Sequence, residues 1–198
     1  TFSVGYEHID VAAAAKRGIK VTNTPDVLTD ATADITLLCM LGAARRAHEG
    51  TTMLRTHNWV GWTPRQLMGV HMTGKRLGIL GMGRIGQAVA NRARAFRMTI
   101  HYSNRTRLKP ELEKGATFHA NADDMLPHCD ILSINAPMTA ATRKWLNTQR
   151  IAKLGFDSLP PEQQSAAIES LRREHMLDQM LAGQPGQNKA ESWLGEQA

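Results

Sequence analysis

The stretch GILGMGRIG, residues 78–86, constrains this chain more than any other part of it. Four glycines in nine positions follow a basic pair, Lys75-Arg76, and a short apolar run. Gly81-Met82-Gly83-Arg84-Ile85-Gly86 fits G-x-G-x-x-G. The first glycine of that pattern permits a tight turn, and the second lets backbone approach a pyrophosphate. The third lets a helix pack close to a strand. A helix starting here offers free N–H groups and partial positive charge to phosphates. The motif alone is weak, but its surroundings strengthen it. Leu77 to Leu80 reads as a strand, and Ile85 to Phe96 as a helix with Val89, Ala93 and Phe96 inward. Met98 to Tyr102 then reads as a second strand. Together they predict a dinucleotide site.

The alternation continues. Thr117-Phe118 reads as part of a third strand, and DILSIN (130–135) as a further buried one, preceded by a helical segment near Ala122 to Leu126. Strands alternating with helices predict an α/β fold, a doubly wound parallel sheet covered on both faces. Upstream, Asp10 to Arg17 reads as a short helix stopped by Gly18. IKVTNTP (19–25) reads as a strand closed by Pro25. From Thr29 to about Arg55 the pattern is helical, with Ile35, Leu38, Cys39 and Leu41 on one face. Thr29 is placed to cap its start, with Asp30 and Asp34 near the positive end of the dipole. Residues 57–72 contain three Gly or Pro interruptions and two Trp, which predicts an irregular arm.

The charge is uneven. Residues 1–154 carry 21 Lys and Arg against 11 Asp and Glu, whereas residues 155–198 carry 3 against 7. That reversal places a boundary near Leu154. A basic excess raises nucleic acid as a partner. Aromatics at 5% and the lack of a dense Lys/Arg run argue against it, and an anionic cofactor is the simpler use of the charge. No stretch approaches the ~18 apolar residues of a membrane span, so no membrane partner is expected. The start, TFSVGYEHID, has neither an initiator Met nor the layout of a signal peptide, and predicts a chain beginning inside a longer one. Cys39 and Cys129 have no CxxC partner and read as two free buried thiols in a reducing cytoplasm.

About twenty residues past the glycines, an NAD site places Asp or Glu to hold the ribose 2′-hydroxyl. Here the sequence is Ser103-Asn104-Arg105-Thr106-Arg107, without an acid. Two guanidiniums and short hydroxyls suit a 2′-phosphate, which predicts NADP(H) in preference to NAD(H).

At this point the motifs taken together resemble a known family. VTNTPDVLTDATAD, the arm with Gly61-Trp62, LGILGMGRIGQAVA, Asn104-Arg105-Thr106 and NAPMTAAT are similar to the D-isomer-specific 2-hydroxyacid dehydrogenases, in particular the glyoxylate/hydroxypyruvate reductase branch. The resemblance runs from about Val4 to Leu154. It implies a Rossmann-type cofactor domain over 26–154 and, at 1–25, a remnant of a second, flavodoxin-like substrate domain. Val4-Gly5 resembles the loop whose amides hold the substrate carboxylate, and Thr32 stands near the nicotinamide end. Met82, Gly83, Arg84 and Ile85 would cradle the pyrophosphate, with Gly81 and Gly86 also among the cofactor-binding residues. Asn104, Arg105 and Thr106 would take the 2′-phosphate, and Ala136, Pro137 and Thr142 would line the cofactor's ribose. The implied substrate is a small 2-keto or 2-hydroxy acid. The implied assembly is a homodimer through residues 29–72.

The resemblance stops where the family's chemistry begins. Reducing a 2-keto acid requires a cation on the carboxylate and carbonyl, and an acid to supply the alcohol proton. In the family these are an Arg and a Glu–His pair, beyond an N-x-x-R-G motif. Here GFDSLPPEQQ follows Leu154 and no N-x-x-R-G appears. His175, Glu174, Arg172 and Arg173 fall in a segment from about Glu162 to Leu181 that reads as helical, and none is assigned a catalytic role. The expectation is an unrelated helical and flexible tail over 155–198 and an inactive chain. The alternatives are a non-catalytic NADP(H)-binding dimeric module, or a truncated or frameshifted gene product.

Overall fold

The computed structural model describes residues 1–6 and 8–155. The helix expected over 162–181 and the rest of the tail lie outside the described residues. Four strands, β1 (Arg76–Leu80), β2 (Thr99–Ser103), β3 (Thr117–His119) and β4 (Ile131–Ile134), form one parallel sheet in the order β3-β2-β1-β4. The helix between β1 and β2, α4, spans Arg84–Ala95. The order steps from β1 out to β3 and then back across to β4. Right-handed crossovers therefore put the β3–β4 connection on the face opposite α4. That connection is α6 (Ala122–Met125) with a 3₁₀ turn (Leu126–His128). The predicted sheet, covered on both faces, is the one observed.

The pleat sorts the side chains. Leu77, Ile79, Ile100 and Tyr102 join Val89, Ala90 and Ala93 of α4 in one buried cluster. On the other face, a Cβ added to Gly78 would run into the Cys129 side chain. α2 (Thr29–Ala44) packs across α4 with Ala33, Leu37 and Met40, which join the same cluster. Arg92 pins this crossing by donating to Asp34 at 2.7 Å and Asp30 at 2.9 Å.

Several expectations differ from what is seen before residue 72. Residues 19–25 form no strand, because a strand needs a ladder and this segment has only single ties. Thr24 N–H donates to Ser3 C=O at 3.0 Å, and the Asn23 side chain donates to Val4 C=O at 2.9 Å. The helix from Thr29 ends at Ala44 and restarts as α3 (Ala47–Arg55), with Arg46 left-handed at φ 54° between them. The arm supplies the reason, since Val70 N–H takes the Ala44 carbonyl at 2.7 Å. The inward face of α2 is also a different one. Ile35 and Leu38 are 58% and 63% exposed and Cys39 is exposed, while Ala33, Leu37 and Met40 are buried. A helix that is apolar all round has no stripe to read. Thr29 does not cap, because it is the first helical residue and its hydroxyl faces Asp26 at 3.4 Å. Asp10, by contrast, caps α1 (Val11–Lys16) through Ala13 N–H at 2.8 Å, and Gly18 follows at φ 69°. The arm at 57–72 contains no regular element.

Two short helices were not legible in the sequence, α5 (Pro110–Glu113) and α7 (Thr148–Ile151). Cys129 is buried as expected. Its thiol donates to Met125 C=O at 3.1 Å, and burial pushes it up to about 12. Among the described residues, no helix is long and apolar enough to cross a membrane.

Candidate functional site

The chain turns at Gly81 as it leaves β1. Gly81 stands at φ +93°, and a Cβ there would lie 2.6 Å from Ala136 N and 2.8 Å from Asn135 C. Only glycine meets both demands. A Cβ on Gly86 would drive into the Gly81 carbonyl and stand 3.1 Å from Ile79 Cγ2, so this glycine sets the approach of α4 to β1. Gly83 differs from both. Its backbone is extended and its missing Cβ would meet nothing within 4 Å. The first bond inside α4 runs from Gln87 N–H to Gly83 C=O at 2.9 Å. The N–H groups of Arg84, Ile85 and Gly86 therefore point out of the helix end, over the space that Gly83 leaves open. That shape and polarity fit a pyrophosphate.

A cleft of about 190 Å³ opens in front of this helix end, lined by Val4, Asp26, Leu28, Thr29, Gly83, Arg84, Ile85, Gly86 and Asn135. It lies at the carboxyl ends of β1 and β4, where the strand order reverses, which is the position ligands take in such sheets. Five expected residues meet in it, namely Val4, Gly83, Arg84, Ile85 and Gly86. Gly81 and buried Met82 form its base. Gly5 belongs to the same pinned loop as Val4, its carbonyl accepting from Ser3 Oγ at 2.5 Å. Thr32 is half-buried in the first turn of α2 and does not line the cleft. Its carbonyl accepts the Thr36 hydroxyl at 2.8 Å. A larger hollow of about 300 Å³ lies on α3 and its exit, lined by His48, Thr52, Met53 and Asn58 among others, and brings together no such donors.

Asp26, Leu28, Thr29 and Asn135 were missed by sequence reasoning. Asn135 had a signal, since it follows β4 directly at the switch point. Its N–H donates to Leu80 C=O at 2.8 Å, tying β4's exit to the end of β1. Asp26 pairs with Arg84 at 3.2 Å and so bridges the entry to α2 and the glycine turn.

The segment after β2 behaves differently from its expected form. Asn104 Oδ1 accepts Met82 N–H at 2.7 Å, so this side chain braces the glycine turn. Arg107 does not join Arg105 as a second open guanidinium. It donates from Nε to Glu113 Oε1 at 2.8 Å and from Nη2 to Oε2 at 3.1 Å. Arg105 and Thr106 remain exposed. Ala136 abuts Gly81, while Pro137 and Thr142 close a turn of their own, with the Thr142 hydroxyl donating to Pro137 C=O at 2.7 Å. Among the described residues, no group of His, Cys, Asp and Glu is arranged to hold a metal ion.

The chain is similar to known proteins. The family model for the D-isomer specific 2-hydroxyacid dehydrogenase NAD binding domain matches residues 37–159. Glycerate dehydrogenase from Hyphomicrobium methylovorum is 41% identical over 201 positions, covering 96% of this chain and 62% of that protein. An alignment of that extent runs on beyond Leu154. Glyoxylate reductase from Thermococcus kodakarensis is 47% identical over 156 residues, covering 76% of this chain and 46% of that protein. Among solved structures, the NADPH-dependent glyoxylate/hydroxypyruvate reductase from Sinorhizobium meliloti, in complex with NADP and malonate, superposes with a TM-score of 0.67 at 36% identity. It covers 77% of this chain and 47% of that one. This chain thus spans between about half and two thirds of the length of the proteins it matches.

Proposed function

Because the chain belongs to the D-isomer specific 2-hydroxyacid dehydrogenases, we propose that it carries the cofactor-binding part of an NADP(H)-dependent reductase acting on a small 2-keto acid such as glyoxylate or hydroxypyruvate. The observation that carries this reading is the open space over Gly83 beneath the free N–H groups of α4. Arg84 and Ile85 amides would hold the pyrophosphate. Arg105 and Thr106 would hold the 2′-phosphate, since residues 104–108 directly after β2 contain no acid to bind a 2′-hydroxyl or repel a phosphate. Ala136, Pro137 and Thr142 would border the ribose, and Thr32 the nicotinamide end. Val4 and Gly5 amides would receive the substrate carboxylate. A bound NADPH supplies the hydride that turns the 2-keto acid into its 2-hydroxy acid. No residue of the 198 is assigned the carbonyl-polarising or proton-donating role, so the expected behaviour of this chain by itself is binding without turnover.

The same reading makes the protein a cytoplasmic homodimer. Ile35 and Leu38 on α2, with Val60 and Trp62 on the arm, leave a run of large apolar side chains in solvent, which is the composition of a subunit interface.

The deciding experiment titrates the purified chain with NADPH and with NADH, following nicotinamide fluorescence, and then adds glyoxylate. Saturable binding with NADPH the tighter ligand is the expected result. Tighter binding of NADH overturns the cofactor assignment, and oxidation on adding glyoxylate overturns the expectation of no turnover.

A further inference from the structure

The backbone between β2 and α5 is tied at two ends. The first tie is the Asn104 bond to the glycine turn. The second is out of sight of the solvent. Tyr102, fully buried on β2, donates its hydroxyl proton to Glu113 Oε1 at 2.5 Å, and the Tyr102 hydroxyl oxygen in turn accepts the Leu108 N–H at 3.0 Å. Arg107 donates twice to the Glu113 carboxylate. Arg94 donates to the Glu113 main-chain carbonyl at 2.8 Å, which fixes the end of α5 against α4. Glu113 is only 6% exposed, and Arg107 followed by the Tyr102 hydroxyl hold its carboxyl below the usual range. Burying a carboxylate is unfavourable unless it is paired and fully hydrogen-bonded, and such a network rigidifies what it touches. What it touches here is the loop, and between the two ties only Arg105 and Thr106 are exposed and untied.

We propose that Glu113 is a positioning residue for cofactor choice, fixing residues 104–108 through Arg107 and Tyr102 so that Arg105 and Thr106 are presented to a 2′-phosphate. The proposal rests on reading that loop as the 2′-phosphate site. It assigns Arg107 an indirect role, because its guanidinium is committed to Glu113 and does not touch the phosphate. A loop already held in its bound shape loses less freedom when the ligand arrives. NADH lacks the 2′-phosphate and gains nothing from that order.

The test is direct binding of NADPH and of NADH to the full chain and to its E113Q and Y102F variants, with thermal unfolding of each alongside. In E113Q the NADPH dissociation constant should rise about tenfold, the size of one charge-assisted hydrogen bond, while NADH stays within about twofold. Y102F removes one hydroxyl and keeps the ring, and should move the same ratio by about threefold. If E113Q does not fold, Y102F decides. Equal weakening toward both cofactors would reduce Glu113 to a fold-supporting residue and overturn the proposal, as would unchanged NADPH binding. A wild-type chain that binds both cofactors equally fails earlier and separately. It removes the 2′-phosphate reading, and the role of Glu113 falls with it.

Discussion

The segment from Arg76 to Asn135 and the segment before it use similar apolar residues to opposite effect. In the first, Leu77, Ile79, Met82, Val89, Tyr102, Met125 and Leu126 are all sealed from solvent. In the second, Phe2, Val27, Val60 and Trp62 are each more than three-quarters exposed. A parallel sheet explains the first case. Each inner strand has neighbours on both sides and helices on both faces, so an apolar run there has one destination. An apolar residue on an arm or on an all-apolar helix says only that something covers it. The two regions meet where α2 crosses α4, and there the outer one behaves like the inner, with Ala33, Leu37 and Met40 buried.

The largest effect that tests this contrast is at the glycines. Gly81→Ala combines a left-handed backbone with main-chain atoms 2.6–2.8 Å from the new Cβ. It should destabilise the protein by more than about 3 kcal/mol and abolish NADPH binding. Gly18, at φ +69°, has nothing within 4 Å of its missing Cβ. Gly18→Ala should cost only about 1 kcal/mol and leave binding unchanged. Urea unfolding followed by circular dichroism measures both, and comparable losses would break the contrast.

Next in size is Gly83→Ala, which separates folding from binding. Its Cβ enters open space, so stability should change by less than about 0.5 kcal/mol. The methyl takes the place proposed for the pyrophosphate, so NADPH affinity should fall about a hundredfold. Normal binding by a folded G83A would remove the pyrophosphate assignment. Smaller again is Leu38→Lys, on the exposed face of α2. A charge at the centre of an apolar interface should weaken the proposed dimer by at least about tenfold, visible in sedimentation, with monomer stability little changed. A wild-type chain that sediments as a monomer would leave that face as plain surface.

These variants also mark what the sequence could reveal. Gly81, Gly83 and Gly86 were legible because each satisfies a local demand, on a turn, an open approach or a close packing. The parallel sheet with helices on both faces followed from the alternation of elements. Residues 19–25 were not legible as an unpaired segment, because the sequence carries strand propensity and a strand is a pairing. The face of α2 was not legible, because it has no polar side to orient it. The pairing of Arg107 was not legible for a subtler reason. Its partner Glu113 is six residues on, and nothing local shows that a Glu there is buried. Asp26 was invisible for a similar reason, since its pairing with Arg84 exists only once α2 has been laid beside the turn.

The same limit hides a cluster that gives the smallest predicted effect. His101 on β2, His119 at the end of β3 and His128 in the 3₁₀ turn bring three imidazole rings within 5.3–5.7 Å of one another, with His101 Nδ1 and His119 Nε2 3.0 Å apart. Burial first, and then the charges of His119, His128 and Arg76, hold His101 below the ordinary imidazole value, opposed by Asp130. Burial and then His128 hold His119 low, opposed by Asp124. In the unfolded chain His101 and His119 take protons near pH ~6.5, and in the folded chain only at lower pH. Between those values the unfolded state binds more protons, so stability must fall as pH drops below about 6.5. The slope is limited to two protons, one for each lowered ring. Glu113 and Asp123, held low by Arg107 and Arg150, do not contribute in that window. Both states keep those carboxylates ionised until pH nears about 4, below which their stabilisation is lost as well. Urea midpoints between about pH 7.5 and 5.5 should therefore decline, and His119→Gln should flatten the decline by removing one ring and relieving His101. Because the two lowered rings stand on β2 and β3, amide exchange should show the acid-induced loss in β1–β4 and not in the 1–72 region. A decline confined to the arm, or one that H119Q leaves unchanged, would show that acid sensitivity resides in the exposed half of the molecule and not in the sealed one.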